Sequence, residues 1–192
     1  MAIGDTVGRQ VPGRGDEPTP AVFIDLDTVL LAVHRGRRGL ELGLQADLDE
    51  AIERLREATE RIIVLVVPPP AENGAGLETE RRLDVLRAGL PGQLPALTLV
   101  RCPHGEQASC ACAKPGSGLI ELAIAEHGLR TRGSWYIGGD QEGMQSARHV
   151  GLHTIRIGPL GEDHLDAVHR PDHEARDLLD AANRIMIQTL SG

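Results

Sequence analysis

The chain has 192 residues, with 20 basic against 28 acidic side chains and a net charge of −8. That length suits one globular domain burying roughly 70% of its unfolded surface, so folding requires no staples. The acidic balance argues against general nucleic-acid or membrane-surface binding, and Phe23, Trp135 and Tyr136, its three aromatic residues, are too few for base-stacking platforms.

Residues 1–20 are rich in Gly, Pro and charge and have no apolar h-region. They read as a disordered lead-in rather than a signal peptide, ahead of a domain over residues 21–192. No run reaches the ~18 apolar residues of a membrane span, so a cytoplasmic protein is expected. Ala21–Ile24 is a short apolar strand ending at Asp25. Asp47–Thr59 sets Leu48, Ile52 and Leu55 on one helical face. Arg61–Val67 is a β-branched run of the kind buried on both faces, stopped by Pro68, Pro69 and Pro70. Leu77–Gly89 reads as a helix and Leu97–Arg101 as a strand. Ser117–Gly128 is a helix with Ser117 as N-cap and Gly128 past its end. Ser134–Ile137 and His153–Ile157 are strands, with a short helix over Gly143–Val150 between them and a closing helix over Glu174–Leu190. Five strands separated by helices predict an α/β fold, a doubly wound parallel sheet with helices on both faces. Ligands of such sheets bind beyond the carboxyl ends of the strands.

Asp25-Leu26-Asp27 stands at that edge. Strand alternation sends both carboxylates to one side, where they repel unless a cation or proton lies between them. One could hold Mg²⁺ and attack phosphorus while the other moves a proton; a solvated strand-to-loop junction is the plain alternative. A second cluster, Cys102, His104, Cys110 and Cys112, uses every cysteine of the chain. Its compact spacing matches a tetrahedral Cys₃His zinc site without an open catalytic position, against the alternative of three unligated thiols and a surface histidine. Of the 20 basic residues only Lys114 is a lysine, and it follows this cluster directly.

The segment CPHGEQASCACAKPGSG, together with FIDLDTVL, resembles the haloacid dehalogenase superfamily, in its zinc-loop branch of heptose-bisphosphate and histidinol-phosphate phosphatases. The resemblance implies a Rossmann-like sheet with a zinc-bound loop and no large cap domain. It makes Asp25 the nucleophile that forms an aspartyl-phosphate. Asp27 becomes the general acid and base, with a main-chain carbonyl on Mg²⁺, and Lys114 the cation facing phosphate and nucleophile. Catalysis of this kind is mostly positioning and charge neutralisation, and lysine suits it as a compact point charge.

Several positions depart from the family pattern. Its phosphate-binding Thr or Ser after the second strand is replaced by Val66-Val67-Pro68. Its G-D-x-x-x-D acids fall on Gly139 and Gly143, with Asp140 and Glu142 out of register by one; a bulge at Gly138-Gly139 would return Asp140 to a Mg²⁺ site. The substrate-binding Arg is Ala113, and the glycine after the second Asp is Thr28. Losing the phosphate hydroxyl alone costs around 2 kcal/mol, about thirty-fold in rate. Two readings follow. One is a phosphatase of weakened activity on a small phosphorylated metabolite of the sugar-phosphate class. The other is an inactive pseudophosphatase, a zinc-stabilised scaffold for a protein partner. Nucleic acid and membrane are expected partners of neither. His34-Arg35-Gly36-Arg37-Arg38 lies where the family carries a small flap and reads as an anion grip or a solvated loop. His149, His153, His164, His169 and His173 have no ligand spacing, and Trp135-Tyr136 reads as core packing.

Overall fold

In chain order the elements are β1 (Thr19–Asp25), α1 (Leu26–Val29), β2 (Leu30–His34), β3 (Leu40–Leu44), α2 (Leu48–Ala58), β4 (Ile62–Val67) and α3 (Ala75–Gly89). There follow β5 (Leu97–Arg101), α4 (Gly118–His127), β6 (Leu129–Gly138), α5 (Gln141–His149), β7 (His153–Ile157), β8 (His173–Ala175) and α6 (Leu178–Leu190). The computed structural model describes residues 17–34, 40–44, 47–58, 62–67, 75–90, 92, 97–104, 110–158 and 170–190.

Six strands form one sheet in the order β5-β4-β1-β6-β7-β8, and every pairing is parallel. β1 is central because its side chains from Ala21 to Asp25 are buried on both faces. One face buries Val22, Ile24, Trp135, Ile137 and Ile155 under α2, α3 and α6. The other buries Ala21, Phe23, Val64, Val66 and Tyr136 under α4 and α5. Helices therefore cover both faces, as right-handed crossovers between parallel strands require. Between α1 and α2 the described residues hold an antiparallel hairpin, β2 with β3, in place of a large cap.

Several boundaries differ from the sequence reading. β1 starts at Thr19, two residues earlier, because Thr19 and Pro20 continue the pairing with Leu129 and Arg130 of β6. The irregularity that follows is closed by Ser134, whose Oγ accepts from the Ala21 amide at 2.8 Å. Glu174 does not open the last helix; it lies in β8 and forms an ion pair with Arg156 at 2.8 Å. Asp172 fixes that strand by accepting from the Thr154 amide and hydroxyl at 2.8 and 2.9 Å. Ser117 precedes α4 but its hydroxyl goes to Glu121 Oε1 at 2.6 Å, so it does not cap the backbone. Gly128 ends α4 in the left-handed region at φ 59°, as its position suggested. Of the basic stretch at 34–38 only the backbone of His34 lies within the described residues, and His164, His169 and Pro68–Pro70 lie outside them. No helix among the described residues is long and apolar enough to cross a membrane.

Candidate active site and metal centre

β1 delivers Asp25 to the carboxyl edge of the sheet and stops there. The side chain is fully buried, a position that a carboxylate holds only with compensation. Lys114 supplies it: the ammonium binds Asp25 Oδ2 and reaches Asp140 Oδ2 at 2.7 Å. Tyr136, on the same sheet face, donates its hydroxyl to Asp25 Oδ2 at 3.3 Å. Both donors meet Oδ2, while Asp25 Oδ1 is buried with no hydrogen-bond partner among the described residues. Burial pushes the Asp25 carboxyl up to about 6, against the pull of Lys114. Burial also works against the charge on Lys114, but the two carboxylates outweigh it and hold the ammonium above its ordinary range. Burial and the charge of Asp25 raise the Tyr136 phenol, which keeps its proton to donate.

Asp27 does not stand beside Asp25 as strand alternation suggested. The strand ends at Asp25 and Asp27 falls in the first turn of α1, where alternation no longer applies. Its side chain is half-exposed and accepts from Arg82 of α3 at 2.6 Å. The two carboxylates remain close enough for the charge of Asp27 to raise Asp25.

Asp140 does reach the site, though by a route other than a bulge. β6 stays in register with β7 to its last residue, Gly138. Asp140 then becomes the N-cap of α5, its Oδ1 accepting from the Gly143 amide at 2.6 Å while Oδ2 faces Lys114. Burial opposes its charge, and the bonds from Lys114 and Gly143 outweigh burial, leaving its pKa below the ordinary value. Glu142 lies in the first turn of α5 and is exposed. Val67 ends β4 buried and without a hydroxyl to offer; Thr28 is buried in α1 and Ala113 is exposed beside Lys114. The carboxylates of Asp25 and Asp140, which converge on the Lys114 ammonium, are hard oxygen donors of the kind a divalent cation takes. Mg²⁺ takes one or two carboxylates and completes its octahedron with water and phosphate.

The cysteine and histidine cluster lies on the loop leading to Lys114. Its four ligand atoms all fall within 4.8 Å of one another. Cys102 Sγ is 3.5 Å from Cys110 Sγ and 3.5 Å from His104 Nδ1, and Cys112 Sγ is 3.6 Å from the same nitrogen. A tetrahedron with Zn–S near 2.3 Å and Zn–N near 2.0 Å has edges of about 3.5–3.8 Å, which these three separations match, so the cluster could bind zinc. Burial, with the neighbouring thiols, pushes Cys112 up to about 12. The loop then turns through Ala113 N to Cys110 O (3.0 Å) and Gly116 N to Ala113 O (2.8 Å), presenting Lys114 to Asp25.

The structure thus brings Asp25 and Asp140 together around one cation, the Lys114 ammonium, with Asp27 on the rim and the cysteine cluster on the loop that carries Lys114. It adds two residues that the sequence reading did not place there, Tyr136 and Arg82. Trp135 lies on the opposite face of β6, against His153 and His173 with ring centroids 4.7 and 5.7 Å away.

No protein-family model matches the chain. It is similar to the D-glycero-beta-D-manno-heptose-1,7-bisphosphate 7-phosphatase of Pseudomonas aeruginosa, with 29% identity over 113 residues, 56% of this chain. The chain spans less than two thirds of the first curated relatives it matches, 34% and 62% of their lengths. Among solved structures, the D,D-heptose 1,7-bisphosphate phosphatase of B. bronchiseptica, complexed with magnesium and phosphate, superposes with a TM-score of 0.63 at 18% identity. It covers 88% of this chain and 99% of its own. A HAD-like phosphatase structure from Mesorhizobium loti gives 0.64 at 20% identity over 97% of this chain and 91% of its own. At these identities the structures report a shared fold.

Proposed function

We propose, on the premise that the chain belongs to the haloacid dehalogenase superfamily and is phosphatase-like, that it hydrolyses a small phosphomonoester of the sugar-phosphate class. The observation that carries this reading is Asp25: a buried carboxylate whose Oδ2 is held by two donors while Oδ1 has none among the described residues. Oδ1 attacks phosphorus, the bond from phosphorus to the substrate oxygen breaks, and Asp27, released from Arg82 and protonated in the substrate complex, gives the leaving oxygen that proton. Water then attacks the aspartyl-phosphate, its proton passes to Asp27, and the bond from phosphorus to Asp25 breaks. Lys114 offsets the repulsion between two anions, and Asp140 keeps the ammonium in place from its other side. Mg²⁺ held by Asp25 and Asp140 would add positive charge at the phosphate. Zn²⁺ held by Cys102, His104, Cys110 and Cys112 would fix the loop that carries Lys114.

Val67 in place of a hydroxyl, and Gly143 in place of an acid, support a rate below that of a complete site. The same two positions favour a second reading, an inactive scaffold that binds a protein partner or a phosphorylated ligand. Purified protein with Mg²⁺ is expected to hydrolyse p-nitrophenyl phosphate, and Asp25→Asn to abolish the reaction. Equal inactivity of wild type and Asp25→Asn across a panel of sugar phosphates would sink the enzymatic reading in favour of the scaffold.

A further inference from the structure

Tyr136 is a polar aromatic residue in the interior of the sheet, 1% exposed. Register explains what it reaches. Tyr136 pairs with Phe23 across β1 and β6, and Phe23 shares a face with Asp25 two residues on. The ring lies along the sheet and carries its hydroxyl one level up, to Asp25 Oδ2. Its seat exists because two residues have no side chain. A Cβ on Gly138 would lie 2.7 Å from Cε1 of the ring. A Cβ on Gly143 would lie 3.1 Å from Cζ and closer still to the hydroxyl. Gly143 is also the residue whose amide binds Asp140 Oδ1, so the hydroxyl stands in the room that a side chain at 143 would need.

We infer that Tyr136 is a positioning residue for Asp25. With Lys114 it occupies Oδ2, which fixes the carboxylate plane and leaves Oδ1 as the attacking oxygen. Glycine at 143 is the condition for this arrangement: the first turn of α5 can present either a side chain there or the Tyr136 hydroxyl, not both. The inference rests on the phosphatase reading above, because an attacking oxygen matters only where Asp25 attacks.

The test uses the full chain as wild type, Tyr136→Phe and Gly143→Ala, each checked for folding by circular dichroism. Hydrolysis of p-nitrophenyl phosphate with Mg²⁺ is followed alongside the Asp25 carboxylate stretch in infrared difference spectra against Asp25→Asn. Tyr136→Phe is expected to lower kcat about tenfold or more, with KM within about twofold, because a hydrogen bond to a charged group is lost and the substrate contacts are not. It is also expected to shift the Asp25 band. Gly143→Ala displaces the hydroxyl from the other side and is expected to lower kcat likewise, which keeps the inference testable should Tyr136→Phe fold poorly. Unchanged kcat in either folded variant, or an unshifted band in Tyr136→Phe, overturns the positioning role alone. A wild type no more active than Asp25→Asn overturns the phosphatase reading, and the positioning role falls with it.

Discussion

Asp25 shows what a buried carboxylate in the sheet interior costs the fold. Its carboxyl titrates near 6 in the folded chain against 3.8 for an ordinary aspartate, because it is buried. Below about pH 4 both states are protonated and the group is neutral for stability. Between about pH 4 and 6 the unfolded chain gives up a proton that the folded chain keeps, so stability falls as pH rises. Above about pH 6 the loss is complete, of order 3 kcal/mol by linkage. Asp140, held low by Lys114, titrates in the opposite sense: its contribution is present above its unfolded pKa and is lost as pH falls through the lower folded one. The two are separated by comparison with Asp25→Asn, which lacks the first titration. In denaturant melts without divalent cations, that variant should gain on wild type between pH 4 and 6 and keep its lead above; a constant difference would show that Asp25 is not desolvated. Asp25 and Lys114 were legible in the sequence because each is the residue its motif requires. Tyr136 was not, since an aromatic residue in a buried strand reads as core. The available signal was register, and pairing Tyr136 with Phe23 puts it on the face of Asp25.

Among the elements, the loop before α4 depends most on something besides its own sequence. Three thiols and an imidazole whose ligand atoms lie within 4.8 Å of one another sit on a segment rich in Gly, Ala and Pro. Protein purified without chelator is expected to carry one zinc per chain by metal analysis. Cys112→Ser should lose the zinc and lower Tm, and zinc binding should release protons because burial keeps Cys112 protonated in the free cluster. A stoichiometry near zero would remove the metal. α5 offers a second test, since Asp140 caps the helix with Oδ1 and faces Lys114 with Oδ2. Asp140→Asn keeps a capping oxygen and loses the charge, whereas Asp140→Ala loses both. The alanine variant should be less stable than the asparagine variant by about 1 kcal/mol in urea melts, and equal stability would deny the cap. β8 was hidden in the sequence: three residues carry too short a pattern to read, and the strand is held by Asp172 on Thr154 and Glu174 on Arg156.

At the scale of the whole molecule, two aliphatic cores on either face of one sheet fix the position of the site. Phe23 and Tyr136 lie in the α4–α5 core and Trp135 in the other, so most of the buried volume is Leu, Ile, Val and Ala. Ile185 of α6 is fully buried in the core shared with α2. Ile185→Ala should cost about 3 kcal/mol in equilibrium unfolding, from lost transfer energy and the cavity left behind. It lies on the face of β1 opposite Asp25, so hydrolysis per folded molecule should hold, and a loss of activity at full folding would show that the two faces are coupled.

The sequence by itself determined the parallel α/β architecture, placed Asp25 at the carboxyl edge of the sheet, and gathered Cys102, His104, Cys110, Cys112 and the sole lysine into one short segment. These are patterns of period and spacing that one chain segment carries alone. Tertiary structure decided what depends on segments meeting. Asp140 joins Lys114 because β6 ends at Gly138 and α5 begins with a cap. Arg82 holds Asp27 from a helix 55 positions away in the chain. Tyr136 reaches Asp25 because two glycines leave room for its ring. Such contacts are set by strand register and by the space between side chains, and neither is written in the spacing of one segment.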